Sequence, residues 1–181
     1  GHLGMMSQTT GGQIEAITGN TSQGFSTALT AYVAQNFAAK KMERGVQAYK
    51  YTLRILGTMG VIVSFAFMFY GRELFGIIVP HEDAMNAGAQ YLFAMGTVQV
   101  FLMLELTSQG MFNGIGRTIE PAVISMTFNL LRIPLAMYLA TSMGSIMGVW
   151  WAIAISTLCK GTILPLWFFF IYRRMRRKGI A

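Results

Sequence analysis

The sequence predicts an all-α, polytopic membrane helix bundle of about five transmembrane helices. Three observations carry that prediction. Only 12% of the 181 residues are charged and 54% are hydrophobic, whereas soluble domains carry roughly 25% charged residues. Long apolar runs recur at residues 51–71, 87–112, 122–142 and 146–171, and each holds the ~20 residues that cross a hydrocarbon core of ~30 Å. Basic residues gather on one side of these runs, as they do in cytoplasmic loops. A soluble chain has too few charges here to cover so much apolar surface.

The first span, residues 12–35, is the least apolar. It carries Thr18, Asn20, Thr21, Ser22, Gln23, Ser26, Thr27 and Thr30 and no proline. It is expected to cross with its polar face turned into the bundle or a wet cavity. In the second, 51–71, Gly60 and Ser64 form a small-xxx-small pair that lets helices approach closely. The third, 87–112, is expected as one continuous crossing. In the fourth, 122–142, Pro134 falls mid-span and should kink the helix or free a carbonyl. In the last, 146–171, Trp150 and Trp151 sit toward one end, with Trp167 and Tyr172 toward the other. Those are the depths where indoles and phenols prefer the headgroup layer.

Alternating five spans places residues 36–50, 113–120 and the tail 173–181 on one side. That side holds Lys40, Lys41, Arg44, Lys50, Arg117, Arg173, Arg174, Arg176, Arg177 and Lys178. The other side holds only Arg72. The asymmetry predicts a cytoplasmic C-terminus in a plasma (inner) membrane, with residues 1–181 as one partial transmembrane domain. The chain opens on Gly1 without a signal peptide and reads as a fragment of a longer protein. A net charge of +7 in a soluble domain would point to nucleic acid. Clustered between apolar runs it reads as topology, so no nucleic-acid partner is expected. The single cysteine, Cys159, allows no intrachain disulfide. His2 and His81 are isolated, so no metal site is expected. No G-x-S-x-G, H-E-x-x-H or P-loop occurs, which argues against an enzyme.

Ionisable residues inside spans are the candidate site. A charge at mid-span costs ~2.5–3.5 kcal/mol on insertion scales, so it faces a partner or water. Arg54 lies near a span end and can snorkel. Glu105 is the leading candidate for cation or proton coupling, with Gln109 and Asn113 at i+4 and i+8 on the same stripe. Glu15 is the second, with Thr18, Ser22 and Ser26 following on its face; oxygen ligands so aligned suit Na⁺ or proton traffic. Gln109, Asn113, Ser22 and Ser26 are expected to line a polar cavity. Arg132 and Lys160, both near mid-span, are expected as charge partners of Glu105.

These residues fall in a familiar order. The stretch GFSTALTAYVAQNFAAKKMER at 24–44 resembles a helix that ends in a GQN-like turn, here with Gln35 and Asn36, and leads into a small basic loop. Leu74-Phe75, Glu82-Asp83 and Tyr91-Leu92 resemble an outer loop and the next helix start. GMFNGIGRT at 110–118 is similar to a G-x-x-x-G-x-G-x-T turn, with Gly114, Gly116 and Thr118 in place, and Pro121 opens the following helix. LRIPL at 131–135 completes the series. Together they cover about residues 12–140 and resemble the second half of the multidrug and toxic compound extrusion (MATE) family.

The resemblance implies a twelve-helix antiporter of two six-helix lobes that exports organic cations in exchange for H⁺ or Na⁺. This chain would supply helices eight to twelve, with the bilayer, an N-terminal lobe and small organic cations as partners. No cofactor beyond the coupling ion is implied. Aligned on Gly110, the family's carboxylate in the tenth helix falls nearer Leu102, and Glu105 lies one turn further on. The GQN-like turn has Ala34 where glycine is usual, and Ala38-Ala39 follows. Two other readings remain open. A lipid-linked oligosaccharide flippase would turn Arg132 and Lys160 toward phosphate. A non-transporting scaffold would bury its charges in a closed, paired cluster.

Overall fold

The computed structural model describes residues 2–179. Among them the regular elements are helices: α1 (His2–Ala38), α2 (Met42–Ile78), α3 (Glu82–Gly96), α4 (Gln99–Gly114), α5 (Ile119–Met143) and α6 (Met147–Arg177). The chain is an all-α membrane bundle, as its composition predicts. Three helices, α2, α5 and α6, are long and apolar enough to cross a bilayer singly, and α3 with α4 passes as a bent pair.

Contacts fix the helix directions. Ser26 and Thr30 of α1 meet Leu106 and Gly110 of α4 in the same order, so these helices run parallel. Tyr49 and Ser64 of α2 meet Ser108 and Gly96 in reverse order, so α2 is antiparallel to them. Arg132 and Asn129 of α5 meet Ser156 and Lys160 of α6, again in reverse. The α1–α2 loop, the α4–α5 loop and the end of α6 therefore share one end of the bundle. One core cluster sits there, around Val33, Tyr49, Phe112 and Phe168; a second, around Phe75, Tyr91, Leu92 and Trp150, occupies the other end.

The polar first helix hides its hydroxyls locally. Ser7, Thr9, Thr21, Ser22, Thr27 and Thr30 each donate to the carbonyl four residues back. Such bonds satisfy a hydroxyl without water. The helix begins ten residues before the expected 12–35 span, because nothing from His2 to Gly12 breaks it.

The α4 helix is the hub, in contact with α1, α2, α5 and α6. Small residues let its neighbours in. A Cβ on Gly110 would lie 2.7 Å from the Ser26 carbonyl oxygen, and one on Gly114 would lie 2.7 Å from the Val33 side chain. A Cβ on Gly60 would lie 3.0 Å from Val100 Cα, which is the close α2–α4 approach that the Gly60/Ser64 pair predicts. Both loops at this end close with the same backbone pattern. Lys40, at φ 58°, and Gly116, at φ 78°, are left-handed. Lys41 N–H donates to the Asn36 carbonyl and Arg117 N–H to the Phe112 carbonyl, which caps the last turn of each helix.

The expected continuous span 87–112 is instead broken. The α3 and α4 axes differ by 51° across Thr97 and Val98. A break inside hydrocarbon frees carbonyls that lipid cannot satisfy, and this one satisfies them internally. Thr97 N–H donates to Phe93, and the Thr97 hydroxyl donates to Ala94 at 2.7 Å. Val98 N–H and Gln99 Nε2 donate to Met95. The Ser64 hydroxyl reaches across from α2 to the Gly96 carbonyl. The side chains compete successfully with the helical ladder, so no proline is needed.

The indole of Trp150 also departs from expectation. It is 1% exposed and stacks edge-on to Tyr91, with ring centroids 5.3 Å apart. It is core and does not sit at a headgroup surface, because α3, with Tyr91, packs against that end of α6. Trp167, at the other end, is 46% exposed. The α5 helix is peripheral: it rests on α6 and barely on α4, with Pro121 its one buried residue. Its outward Val, Ile, Leu and Met side chains suit lipid.

Gly110→Val is expected to lower detergent-solubilised thermal stability by about 1–3 kcal/mol through overpacking against Ser26. Gly12→Ala, which meets nothing within 4 Å, is expected to gain about 0.5–1 kcal/mol. Equal melting temperatures for the two variants would refute the α1–α4 seam.

Candidate functional site

The broken crossing sets α4 at an angle that directs Glu105 toward α6. Gly161 then decides how near α6 comes: its bare Cα lies against the Phe101 carbonyl, one turn before Glu105. The neighbouring Lys160 reaches Glu105 with Nζ 3.2 Å from Oε1. Glu105 is 4% exposed and Lys160 7%.

Further donors and acceptors converge from α5. Lys160 Nζ also donates to Asn129 Oδ1 at 3.3 Å. Gln109 Nε2 donates to Glu105 Oε1 at 3.3 Å and to Ser125 Oγ at 3.2 Å. Arg132 donates to Ser156 Oγ at 3.1 Å. Buried charges of this kind persist only when paired and hydrogen-bonded. The network is incomplete at two atoms: Glu105 Oε2 and Arg132 Nε are buried without partners. No carboxylate among the described residues lies within ion-pair distance of Arg132, so the cluster holds two cations for one anion.

An open cleft of about 270 Å³ adjoins the cluster, lined by Gln109, Asn113, Thr118 and Ser125. Arg132 borders a larger and mainly apolar opening of about 500 Å³, together with Gln8, Met137 and Ile153. Glu105 does not itself line the first cleft: Gln109, which does, donates to its Oε1, while its Oε2 is buried and unpartnered. That arrangement can accept a proton or a small cation in exchange for the lysine.

The other candidates are distributed differently. Glu15, half-buried on α1, faces the Tyr91 hydroxyl on α3. Its Oε1 and the Trp150 Nε1 are both buried without partners. It belongs to the opposite end of the bundle and shares no partner with Glu105. Ser22 and Ser26, expected along a cavity, are packed against α4. Ser22 lies on the Met103 sulfur, and Ser26 donates to the Leu106 carbonyl at 2.7 Å. The parallel α1–α4 seam leaves no space for a cavity there. Gln35 is exposed, and Asn36 donates to the Tyr32 carbonyl at 2.8 Å. Gly114 and Gly116 shape helix contact and turn, while Thr118 reaches the cleft.

Ser125, Asn129 and Ser156 escaped the sequence reading. A signal was present: Ser125, Asn129 and Arg132 fall at i, i+4 and i+7, one stripe of α5. Ser156 and Lys160 are likewise one turn apart on α6.

The family model MatE matches residues 6–138. The chain belongs to the MATE family. Members are membrane efflux transporters, and the apolar helices of this chain are integral to the membrane. The matched range takes in Glu15, Glu105 and Arg132 and stops before Lys160. No curated protein matches the chain.

Lys160→Met is expected to destabilise the bundle by about 3–5 kcal/mol, because it strands a buried carboxylate. Adding Glu105→Gln should recover most of that loss. The measurement is a double-mutant cycle of thermal stability in one detergent; additive losses would show that the two groups do not interact.

Proposed function

We propose that the chain is part of an antiporter that exports organic cations in exchange for H⁺ or Na⁺, with Glu105 as the coupling carboxylate. One observation carries this reading: Glu105 is buried, holds Lys160 through one oxygen, keeps the other unpartnered, and is joined through Gln109 to a polar cleft. Only groups with a task are usually retained at such depth.

The chemistry follows from competition. A carboxylate so placed has one unit of negative charge to share among Lys160, a proton, Na⁺ and a cationic substrate. When a proton or Na⁺ takes it, Lys160 falls back on Asn129, and the net positive charge of the cluster rises by one unit, with Lys160 and Arg132 both uncompensated. That field expels an organic cation. When the coupling ion leaves, Glu105 again attracts positive charge. Exclusive occupancy converts ion entry into substrate release, with the lobes rocking around a central cavity. A coupling charge crossing 100 mV supplies ~2.3 kcal/mol, and a pH unit ~1.4 kcal/mol per proton. Together they support concentration ratios of roughly several hundred per coupled ion.

Glu15, facing Tyr91 at the opposite end of the bundle, is a second carboxylate on a separate helix and a candidate relay for the ion toward the far side. A closed scaffold is disfavoured by the open cleft and the two unpartnered polar atoms.

The test is ethidium efflux from vesicles bearing the full transporter under an imposed pH or Na⁺ gradient. Glu105→Gln is expected to lose gradient-driven efflux by about 100-fold or more, as loss of an essential proton carrier does. Glu15→Gln should slow it less. Wild-type efflux in Glu105→Gln would remove Glu105 from the mechanism.

A further inference from the structure

At the basic end of the bundle, α5 and α6 enclose two adjoining hollows that share Trp167. One, of about 310 Å³, is lined by Arg117, Arg174 and Lys178 with Trp167 and Phe170 on its wall. The other, of about 300 Å³, is walled by Ile119, Val123, Ile124, Ile163 and Trp167, with Glu120, the partner of Arg117, at its side and only apolar surface facing the hollow. Arg117 is tied to Glu120, with Nε 2.6 Å from Oε1. No carboxylate among the described residues lies within ion-pair distance of Arg174 or Lys178. The basic hollow therefore holds three cations against one anion.

We propose that this double groove binds one anionic phospholipid, its phosphodiester among Arg117, Arg174 and Lys178 and one acyl chain along Val123, Ile163 and Trp167. The site is separate from the Glu105 cluster and does not depend on the coupling scheme. Arg and Lys in a pocket at the membrane surface bind lipid phosphates. The arrangement also fits the bilayer in depth. Arg174 and Trp167 are about 10 Å apart along α6, comparable with the headgroup layer beside the hydrocarbon. A free phosphate would want donors on all sides, whereas half of this groove is aromatic and aliphatic. An organic cation would meet the wrong charge. A phospholipid supplies both the anionic head and the apolar tail.

The test is native mass spectrometry of the full transporter released from micelles containing equal amounts of phosphatidylglycerol and phosphatidylcholine. Wild type is expected to retain phosphatidylglycerol over phosphatidylcholine by about tenfold, and Arg117→Gln/Arg174→Gln/Lys178→Gln should bring the ratio near one. The matched triple variant Arg173→Gln/Arg176→Gln/Arg177→Gln removes equal charge from outside the groove and should keep the preference. Val123→Trp, which leaves every cation in place and fills the apolar half, should lower phosphatidylglycerol retention several-fold. Circular dichroism checks that each variant stays helical, and Val123→Trp gives an independent reading if the first triple variant does not. Equal retention of the two lipids by wild type would overturn the proposal. Equal loss in both triple variants would assign the preference to the tail's bulk charge and overturn it too. Displacement of phosphatidylglycerol by glycerol phosphate at the same concentration would identify a solute phosphate site in place of a lipid site.

Discussion

In a hydrocarbon environment each polar group must find its partner within the protein. That constraint shapes this chain from its first helix to its last. Hydroxyls of α1 bond back to their own helix. The carbonyls released at the α3–α4 break are taken by Thr97, Val98, Gln99 and Ser64. The one close buried ion pair, Glu105–Lys160, is backed by Gln109 and Asn129. Among the described residues the rule lapses at five buried atoms: Glu15 Oε1, Gln99 Oε1, Glu105 Oε2, Arg132 Nε and Trp150 Nε1. Two of them, Glu105 Oε2 and Arg132 Nε, belong to the polar cluster that adjoins open clefts.

Packing serves the same end. With lipid as apolar as the side chains, helices associate through close backbone approach and interhelical hydrogen bonds. The α4 helix offers Gly110 and Gly114 to α1, while α2 and α6 bring Gly60 and Gly161 to it. Each glycine shortens an interhelical distance that a side chain then exploits. Gly161 sets the separation across which Lys160 meets Glu105, and Gly110 lets the Thr30 hydroxyl reach its carbonyl. The contrast with α5 is physical. Lacking such contacts on most of its surface, it is held to α6 and to the polar cluster through Ser125, Asn129 and Arg132.

The charge distribution gives the bundle two different electrostatic regions. Among the buried charges, two cations share one carboxylate, so protonation of Glu105 would raise the net charge of the cluster from about +1 to about +2 and strengthen its repulsion of a cation. At the basic end, Arg117, Arg174 and Lys178 surround a groove walled by Trp167 and Phe170. The first region suits a reversible ligand that alternates with Lys160. The second suits a resident one that anchors the loop between α4 and α5 to the end of α6.

The sequence by itself determined the class of the fold and the side of the bundle on which basic loops gather; of its five expected crossings, three single helices and one bent pair are long and apolar enough. Those properties follow from composition and spacing, since hydrocarbon thickness and charge asymmetry act on each segment alone. It also marked Glu105, Gln109, Asn113, Arg132 and Lys160, because a charged or amide side chain in an apolar run stands out without knowledge of its neighbours. Tertiary structure alone decided who meets whom. Ser125, Asn129 and Ser156 are ordinary polar residues until the α5–α6 contact turns them toward the charges. Ser22 and Ser26 have the spacing of ion ligands, yet the parallel α1–α4 seam spends them on packing. Trp150 has the position of an interfacial indole and is buried because α3 packs over it with Tyr91. The break at Thr97 depends on a serine hydroxyl arriving from α2. Each of these outcomes rests on contacts between residues distant in the chain, and no local pattern encodes such distances.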